Sequence, residues 1–265
     1  MSADRDGRPG HAVTIAALAV VVFLQVPVLV VVLAAFSTTS YLTIPPQGLT
    51  LAWFGKVLGD PTYLSALRMS LILACGSTAL SLILGVTAAY ALFRRSVPGA
   101  EAITAVLMAP LVVPAVVVGV ALLQYFSLTG LRGSFVGLLM AHVVITVPYV
   151  VRSALASLAG LDLAVEEAAR VLGATGFEAF RLVTLPLITP GLVAGGLFAF
   201  ITSLDNVPVT IFLISASQTT LPVLIFSSVE MGIDPGVAAV STILIVATGI
   251  VLLLAERRFG FHRFV

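Results

Sequence analysis

Charged side chains are scarce in this chain of 265 residues: Asp, Glu, Lys and Arg together make up only 9% of the sequence. Hydrophobic residues make up 60%, and the mean hydropathy is +1.18. Soluble domains contain about 45–50% apolar residues. The composition therefore argues against an ordinary soluble domain and indicates a protein that lies in a membrane.

Other missing features narrow the function further. The chain has one cysteine, Cys75, so an intrachain disulfide is excluded, and we expect this residue to pack as a small apolar side chain. The tail RRFGFHRF is short and basic, which the positive-inside rule explains, and nothing else points to nucleic acid. No G-x-x-x-x-G-K-[ST] motif occurs, so the chain lacks the loop that cradles ATP phosphates.

Six apolar runs are long enough to cross about 30 Å of hydrocarbon, which takes about 20 helical residues. They are continuous, whereas the strands of a membrane barrel alternate in hydrophobicity. The first run follows Arg5 and Arg8, as in a signal peptide, but it is too long and lacks a clear A-x-A cleavage site. The sequence predicts an all-α membrane protein with spans at Ala12–Phe36, Met69–Phe93, Ala102–Phe126, Ser134–Val151, Ile188–Ile214 and Gly236–Ala255.

Basic residues are unevenly distributed about these spans. Six spans place both termini on one side, and that side holds Arg5, Arg8, Arg94, Arg95, Arg152, Arg170, Arg181, Arg257, Arg258 and Arg263. The other side holds Lys56, Arg68 and Arg132. Because cytoplasmic loops carry the excess of Lys and Arg, we expect both termini in the cytoplasm.

The segment Glu166–Pro190 is polar and lies between two apolar runs, beginning in the cytoplasmic loop before the fifth span. Asp162 suits a helix N-cap, and the pattern predicts a helix from about Leu163 to Leu172. Gly173 then suits the position just after the helix, where a left-handed conformation is common. The loop therefore encodes a short helix with a sharp turn at its end.

A second short helix follows at once. Thr175 and Glu178 fit a capping box, and we expect the helix to end before Pro186, because the residue preceding a proline avoids the helical region. Phe177 and Phe180 are three residues apart and would share one face. That face could dock on a soluble partner or dip into the membrane interface, and the residues alone leave both open.

A longer pattern runs through this loop. Glu167, Ala168 and Ala169, then Gly173, then Leu185 and Pro186 match the EAA-x3-G-x9-I-x-LP signature of permease subunits of binding-protein-dependent ABC importers, with Val183 in place of Ile. The whole chain resembles the short six-span permeases of the polyamine (spermidine/putrescine) type, and the segment 202–210, TSLDNVPVT, is similar to that subgroup.

This resemblance implies a type I ABC importer permease fold in a single domain, residues 1–265, with residues 152–187 as the cytoplasmic coupling loop. It implies a multi-pass protein of the bacterial inner membrane that is not an enzyme and holds no cofactor, since Mg-ATP binds to a separate ATPase. The implied partners are a second permease in a heterodimer, two ATPase subunits, a periplasmic or lipid-anchored substrate-binding protein, and membrane lipid. In the family, this loop docks into a groove of the ATPase. The implied ATPase-coupling residues are Glu167, Ala168, Ala169, Gly173, Phe177, Phe180, Leu185 and Pro186.

A candidate substrate path lies in the fifth predicted span. Asp205 is a charged residue inside an apolar run, and such residues usually face a cavity or a partner. Ser203 and Asn206 add polar groups, and we expect the helix to unwind toward Pro208. A carboxylate beside free carbonyls suits an ammonium group, whereas a structural role, such as pairing with Arg68, is the alternative.

Three other functions stay open at this point. An ABC permease for another small solute would share every feature above. A secondary transporter would need its own ion pathway, for which Asp205 is the strongest acidic candidate. An intramembrane enzyme would need a nucleophile and a base; His142 lies in a span, but no G-x-S-x-G motif occurs, and a lone His more often bonds a neighbouring helix.

Overall fold

The backbone is helical through most of its length. The computed structural model of the chain describes residues 11–39, 41, 45–94, 98–215, 218–231 and 235–259, and in these ranges the one β-type pairing is an isolated bridge between Ser215 and Gln218. The helices are α1 His11–Ala35, α2 Ala52–Gly59, α3 Pro61–Phe93, α4 Ala100–Val112, α5 Ala115–Thr129, α6 Phe135–Ala159, α7 Leu163–Val171, α8 Gly176–Ala179, a π-helical turn Phe180–Thr184, α9 Leu185–Leu204, α10 Thr210–Leu213, α11 Leu221–Met231 and α12 Pro235–Phe259.

Five helical segments in the described ranges are long and apolar enough to cross a membrane: α1, α3, α6, the continuous run Gly176–Leu204, and α12. A sixth span exists if α4 and α5 count as one, although the pair is bent by 107°. Six spans are therefore obtained only with this bent pair. Four of the arginines assigned to the cytoplasmic side, Arg5, Arg8, Arg95 and Arg263, lie outside the described residues.

The third predicted span, Ala102–Phe126, is wrong as a continuous helix. Its chain leaves helical geometry at Val113 (φ −73°, ψ 134°) and at Pro114 (φ −54°, ψ 130°). Pro114 cannot donate a backbone hydrogen bond, and its ring keeps the preceding residue out of the helical region. The break therefore lies at Val113 and Pro114, where the proline disfavours helical geometry.

Two further boundaries differ from the prediction. Helix α3 begins at Pro61, eight residues before the predicted Met69. The prediction started late because the first turns of the helix contain polar residues and lie outside the apolar run. The fifth predicted span, Ile188–Ile214, is wrong at its end, since α9 stops at Leu204 and the chain unwinds until α10 begins at Thr210. This unwinding ahead of and through Pro208 was expected.

The expected helix end before Pro186 is also wrong. Leu185 keeps helical angles (φ −58°, ψ −46°), and its N–H donates to the carbonyl of Phe180, five residues back. Pro186 has no N–H to offer the carbonyl of Leu182, so the helix passes through one wider π turn and continues as α9. The second short helix α8, the π turn and α9 thereby form one continuous helical run, Gly176–Leu204.

The chain forms two compact units. The first contains the residues up to Pro61 together with Ser227–Leu253. Within it, Trp53 Nε1 in α2 donates to the carbonyl of Ser37 at 2.9 Å, and the Phe54 ring lies 5.1 Å from that of Phe36. Helix α2 is thus fastened to the end of α1.

The second unit contains Thr62–Phe226 and the chain from Leu254, and its core lies among α3, α6 and α9. Buried side chains from these helices form the core; they include Val86, Ala89, Val150, Val151, Ala154, Leu158, Ile188 and Ala199. Glycine permits the contact between α6 and α9: a Cβ at Gly191 would overlap Ser157 Oγ, and one at Gly195 would lie 3.0 Å from Ser153 Cβ. The Gly191–Gly195 spacing therefore does allow close helix approach in this chain.

Cys75 differs from its expected place. It lies on α3 but is exposed in the isolated chain rather than packed inside it. In a membrane protein, such a surface faces lipid or another subunit, so an apolar side chain there carries no solvation penalty.

Candidate functional site

The helix caps and the sharp turn of the polar loop before α9 are those that the sequence predicts. Asp162 caps α7 by accepting a hydrogen bond from the Ala164 N–H at 2.9 Å. After α7, Gly173 has φ +101°, and its N–H donates to the Arg170 carbonyl while that of Ala174 donates to the Ala169 carbonyl. This pair of bonds is a Schellman motif, which closes the helix end and turns the chain.

The second short helix begins with the predicted capping box. The Thr175 N–H donates to Glu178 Oε2 at 2.7 Å, and the Glu178 N–H donates back to Thr175 Oγ1 at 3.3 Å. Both orphan donors at this helix start are satisfied within the loop. The two caps hold α7 and α8 in a defined arrangement around Gly173.

Large apolar side chains project from this otherwise polar loop. Leu172 is 89% exposed, Val171 is similarly exposed, and Phe177 is 71% exposed. We call Val171, Leu172 and Phe177 the exposed apolar trio. Exposed aromatic and aliphatic residues on a small, well-capped element are typical of a surface that another protein covers.

Phe180 is not part of this exposed surface. Its ring lies 4.7 Å from that of Tyr90 on α3, and it packs against the core cluster of Val86, Val150 and Ala199. The expectation that Phe177 and Phe180 present one outward face is therefore wrong, because the helix turns Phe180 onto the chain's own core. Of the two rings, only that of Phe177 is exposed.

Some of the signature residues lie on the exposed surface of the loop, and others pack against the chain's own core. Glu167 and Ala168 are exposed and Ala169 is half-buried on α7, while Leu185 is half-buried against the core beside an exposed Pro186. Their role in coupling to an ATPase stays a prediction. The structure does place Glu167 and Gly173 on the exposed side of the loop.

The most deeply buried charge in the loop is Glu166, which is 1% exposed. Its Oε1 accepts a hydrogen bond from the Tyr90 hydroxyl at 2.7 Å and an ion-paired hydrogen bond from Arg94 Nη2. Its Oε2 accepts from Thr184 Oγ1 at 2.6 Å. We call Glu166, Tyr90, Arg94 and Thr184 the Glu166 anchor.

The anchor keeps Glu166 ionised. Burial on its own raises the pKa of this carboxyl. The hydrogen bonds from Thr184 and Tyr90, with the nearby charge of Arg94, outweigh burial and lower the pKa from its ordinary value. A charged hydrogen-bond acceptor therefore lies on the buried side of α7 at neutral pH, on the same helix as Val171 of the exposed apolar trio.

Sequence reasoning missed this anchor. Glu166 and Glu167 are adjacent acids in the first half of one helix, and only Glu167 matches the signature. Neighbouring residues on a helix point in directions about 100° apart, so one of the two must turn toward the core if the helix packs. The available signal was the presence of Tyr90 and Arg94, spaced four apart at the end of α3 on the same predicted side.

A second polar cluster lies inside the membrane-spanning part, at the end of α9. His142 on α6 is buried, with Nδ1 2.7 Å from Ser203 Oγ and Nε2 3.0 Å from Thr210 Oγ1. Ser77 Oγ donates to Ser203 Oγ at 2.8 Å. His142 thus bonds neighbouring helical segments, as expected for a lone histidine in a span.

The unwound turn that carries Asp205 lies beside this cluster. Asn206 Oδ1 accepts from the N–H groups of Val209 and Thr210, at 3.0 and 3.3 Å, and so satisfies two backbone donors at the start of α10. Asp205 itself ends α9 and is exposed in the isolated chain. Within the described residues, no ion pair joins Asp205 to Arg68, so this structural alternative finds no support.

The three residues of the candidate substrate path are therefore neighbours with different surroundings. Ser203 is buried and its hydroxyl is engaged with His142, and Asn206 is engaged in the turn. Only Asp205 presents its side chain outward. In the part of the chain that the structure describes, no group of three or more His, Cys, Asp or Glu side chains could hold a metal ion.

Solved structures share this arrangement of helices. The chain aligns with a chain in the crystal structure of a bacterial ABC transporter involved in the import of the acidic polysaccharide alginate, with a TM-score of 0.74 at 18% identity, covering 98% of this chain and 99% of that one. It also aligns with a chain of the inward-facing MetNI methionine ABC transporter, with a TM-score of 0.62 at 18% identity, covering 76% and 98%. The fold is therefore the one that these two ABC transporter chains share.

Sequence comparison agrees with the fold. Residues 81–260 match the family described as binding-protein-dependent transport system inner membrane component. The chain is 37% identical to the putrescine transport system permease protein PotI of Escherichia coli K12, covering 88% of this chain and 85% of that protein. It is 31% identical to the spermidine/putrescine permease PotC of the same strain, covering 90% of each. It is also 33% identical to the molybdenum transport permease ModB of Haemophilus influenzae, covering 73% and 92%.

These findings define the class of protein as the membrane-spanning subunit of an ABC importer. The chain belongs to the family of binding-protein-dependent transport system inner membrane components. It is a multi-pass inner-membrane permease and not an enzyme, and the resemblance stated from the EAA signature is confirmed.

Proposed function

We propose that this permease imports polyamines or a related small cationic solute, driven by ATP hydrolysis on a separate subunit to which the loop α7–α8 docks. The observation that carries the proposal is the exposed apolar trio on a doubly capped loop whose other face is anchored on the chain's own core. Such a capped, one-sided projection suits a groove on a soluble partner, in which the three apolar side chains would leave water.

The proposed partners are those that the family resemblance implies. This chain supplies no phosphate-binding loop, so a separate polypeptide must bind Mg-ATP, and the resemblance implies two such ATPase subunits on the cytoplasmic side. A second permease completes the membrane part, and a periplasmic or lipid-anchored binding protein delivers the substrate. The excess of Lys and Arg supports termini and loop on the cytoplasmic side.

The substrate class is supported by two independent facts. The relatives PotI and PotC are named for putrescine and for spermidine/putrescine. The unwound turn after α9 presents Asp205 outward, with Asn206 holding the turn in place. A carboxylate at a helix break inside the membrane suits an ammonium group that has left water.

Reconstitution tests this function. The tagged chain is purified with its partner subunits, placed in proteoliposomes with the binding protein outside, and assayed for uptake of labelled putrescine. We expect uptake that requires internal ATP, competes with spermidine, and is insensitive to molybdate. ATP-independent uptake would indicate a secondary transporter, and competition by molybdate alone would indicate the anion specificity suggested by the ModB similarity.

The docking claim has its own variant. Phe177→Ala removes a ring that is 71% exposed, and it should leave the permease folded while weakening retention of the ATPase subunit. Because a buried aromatic contributes about 1.5–3 kcal/mol, we expect retention to fall by tenfold or more. Leu182→Ala, which alters an exposed apolar residue on the π turn, is the matched control.

A further inference from the structure

Two adjacent acids on α7 face different surroundings. Glu167, the residue of the EAA signature, is exposed, whereas Glu166 is 1% exposed and fully bonded inside the chain. A buried carboxylate is costly unless both oxygens are satisfied. The three donors that satisfy this carboxylate complete the Glu166 anchor. Their positions in the fold show which helices the anchor connects.

The donors come from two different helices. Tyr90 and Arg94 stand at the cytoplasmic end of α3, and both donate to Oε1. Thr184 is the last residue of the π turn directly ahead of α9, and it donates to Oε2 at 2.6 Å. One side chain on α7 thus reaches two membrane-spanning helices at once, with one oxygen for each.

Further contacts restrain the side chains of the Glu166 anchor. The Arg94 guanidinium lies 5.7 Å from the centre of the Tyr90 ring, and its Nε donates to the Tyr90 hydroxyl at 3.3 Å. The Tyr90 ring in turn packs on Phe180, at 4.7 Å between centroids. The bonds to Glu166 are charge-assisted, and such bonds are roughly twice as strong as neutral ones.

We propose that Glu166 is a positioning residue that ties the loop to α3 and α9 together, so that a displacement of the loop moves both helices as one. The proposal rests on the proposed function, since the displacing force is the ATPase acting on the exposed apolar trio. In this proposal Phe177 contacts the ATPase, and Glu166 passes the displacement of the loop to α3 and α9. Loss of Phe177 should therefore weaken ATPase binding, whereas loss of Glu166 should weaken the coupling of hydrolysis to uptake.

The sharpest variant is Thr184→Val, which keeps the side-chain shape and removes only the bond from α9 to Glu166. Thr189→Val on the same helix is the matched control, because its hydroxyl bonds only to the Leu185 carbonyl of its own helix. The readouts are retention of the ATPase subunit and the amount of putrescine taken up per ATP hydrolysed in proteoliposomes. A purely structural role would change yield and melting temperature but not this ratio.

We expect Thr184→Val to retain the ATPase and to hydrolyse ATP, while uptake per ATP falls by about fivefold or more, because the lost bond has a charged acceptor. Glu166→Ala should lower the ratio further, and Glu166→Ala combined with Thr184→Val should be no worse than Glu166→Ala alone. Glu166→Gln, which keeps one acceptor oxygen, should restore part of the ratio.

Two results would overturn the proposal. One is a normal uptake-to-hydrolysis ratio in Thr184→Val, and the other is a loss of ATPase retention equal to that of Phe177→Ala, which would make the anchor part of the docking surface. If Glu166→Ala does not fold, Thr184→Val and Tyr90→Phe still decide the matter. Failure of the proposed function is distinguishable, because Phe177→Ala would then leave ATPase retention unchanged.

Discussion

Gly173 offers a perturbation whose effect can be worked out from backbone geometry alone. It has φ +101°, and a Cβ built at this position meets nothing within 4 Å. Replacing it by alanine therefore adds no clash, and the whole cost is the strain of a left-handed conformation, about 1–2 kcal/mol for an L-residue. The Schellman bonds from Gly173 and Ala174 require that conformation.

That cost predicts a measurable change in coupling. A penalty of about 1–2 kcal/mol corresponds to a factor of about 5–30 in the population of the bent loop. We expect Gly173→Ala to lower both ATPase retention and ATP-driven uptake of putrescine by a factor in this range. Gly173→Asn should be milder, because asparagine tolerates the left-handed region.

The control is Gly176→Ala, at a helical position where a Cβ also meets nothing within 4 Å. Retention is read by co-purification of the ATPase with the tagged permease, and insertion by the yield in the membrane fraction. Equal loss of activity in Gly173→Ala and Gly173→Asn, or full activity in Gly173→Ala, would refute the reasoning, because neither follows from backbone strain.

Three other changes have expected outcomes. Gly191→Ala forces a Cβ against Ser157 and should lower the melting temperature of the purified permease by an amount equivalent to about 1–3 kcal/mol, whereas Gly196→Ala, with contacts of 3.4 Å or more, should not. Asp205→Asn removes a charge and keeps the size, so uptake of putrescine should fall sharply while ATPase retention is unchanged. The pKa of Glu166 is lower in the folded state than its ordinary value of 4.5. Its contribution to stability is therefore fully present above pH 4.5 and is lost as the pH falls through the lower folded value. The stability of Glu166→Gln should lack this acid-dependent loss.

Each of these has a contradicting result. Equal melting temperatures for the two glycine variants would show that α6 and α9 adjust without cost. Loss of the assembled complex in Asp205→Asn would show a structural role for that carboxylate. A stability that falls between pH 7 and pH 5 in the native chain but not in Glu166→Gln would contradict the depressed pKa, since the loss belongs at lower pH.

Local chemistry made much of the loop predictable. Capping residues act within a few positions of one another, so Asp162, Thr175 and Glu178 could be assigned from their spacing, and Gly173 from the end of the helical pattern. The apolar runs likewise predicted where the spanning segments lie, because membrane thickness fixes their length, although they did not predict the break at Pro114 or the end of α9 at Leu204. These features depend on short stretches of chain or on the solvent, and not on which helices become neighbours.

The remaining features depend on tertiary neighbours. The turn of Glu166 and Phe180 toward the core follows from where the end of α3 lies, and nothing in the local sequence states it. Proline was ambiguous for a related reason: Pro114 breaks its helix, whereas Pro186 is accommodated by a π turn that ends at Thr184, a residue bonded to Glu166. The same residue type therefore gives different structures according to what packs beside it.

The central claim, that the loop α7–α8 docks on an ATPase subunit, is tested most directly by crosslinking. A cysteine introduced as Leu172→Cys, in a chain carrying Cys75→Ala, places a thiol at the C-cap residue of α7, whose side chain is 89% exposed and whose capping bonds are made by its backbone. In assembled membranes, a short thiol-reactive crosslinker should join this position to the ATPase subunit, and Glu101→Cys on α4 serves as the control. A crosslink of the same efficiency from both positions, or labelling of Leu172→Cys only by lipid-soluble probes, would contradict the account.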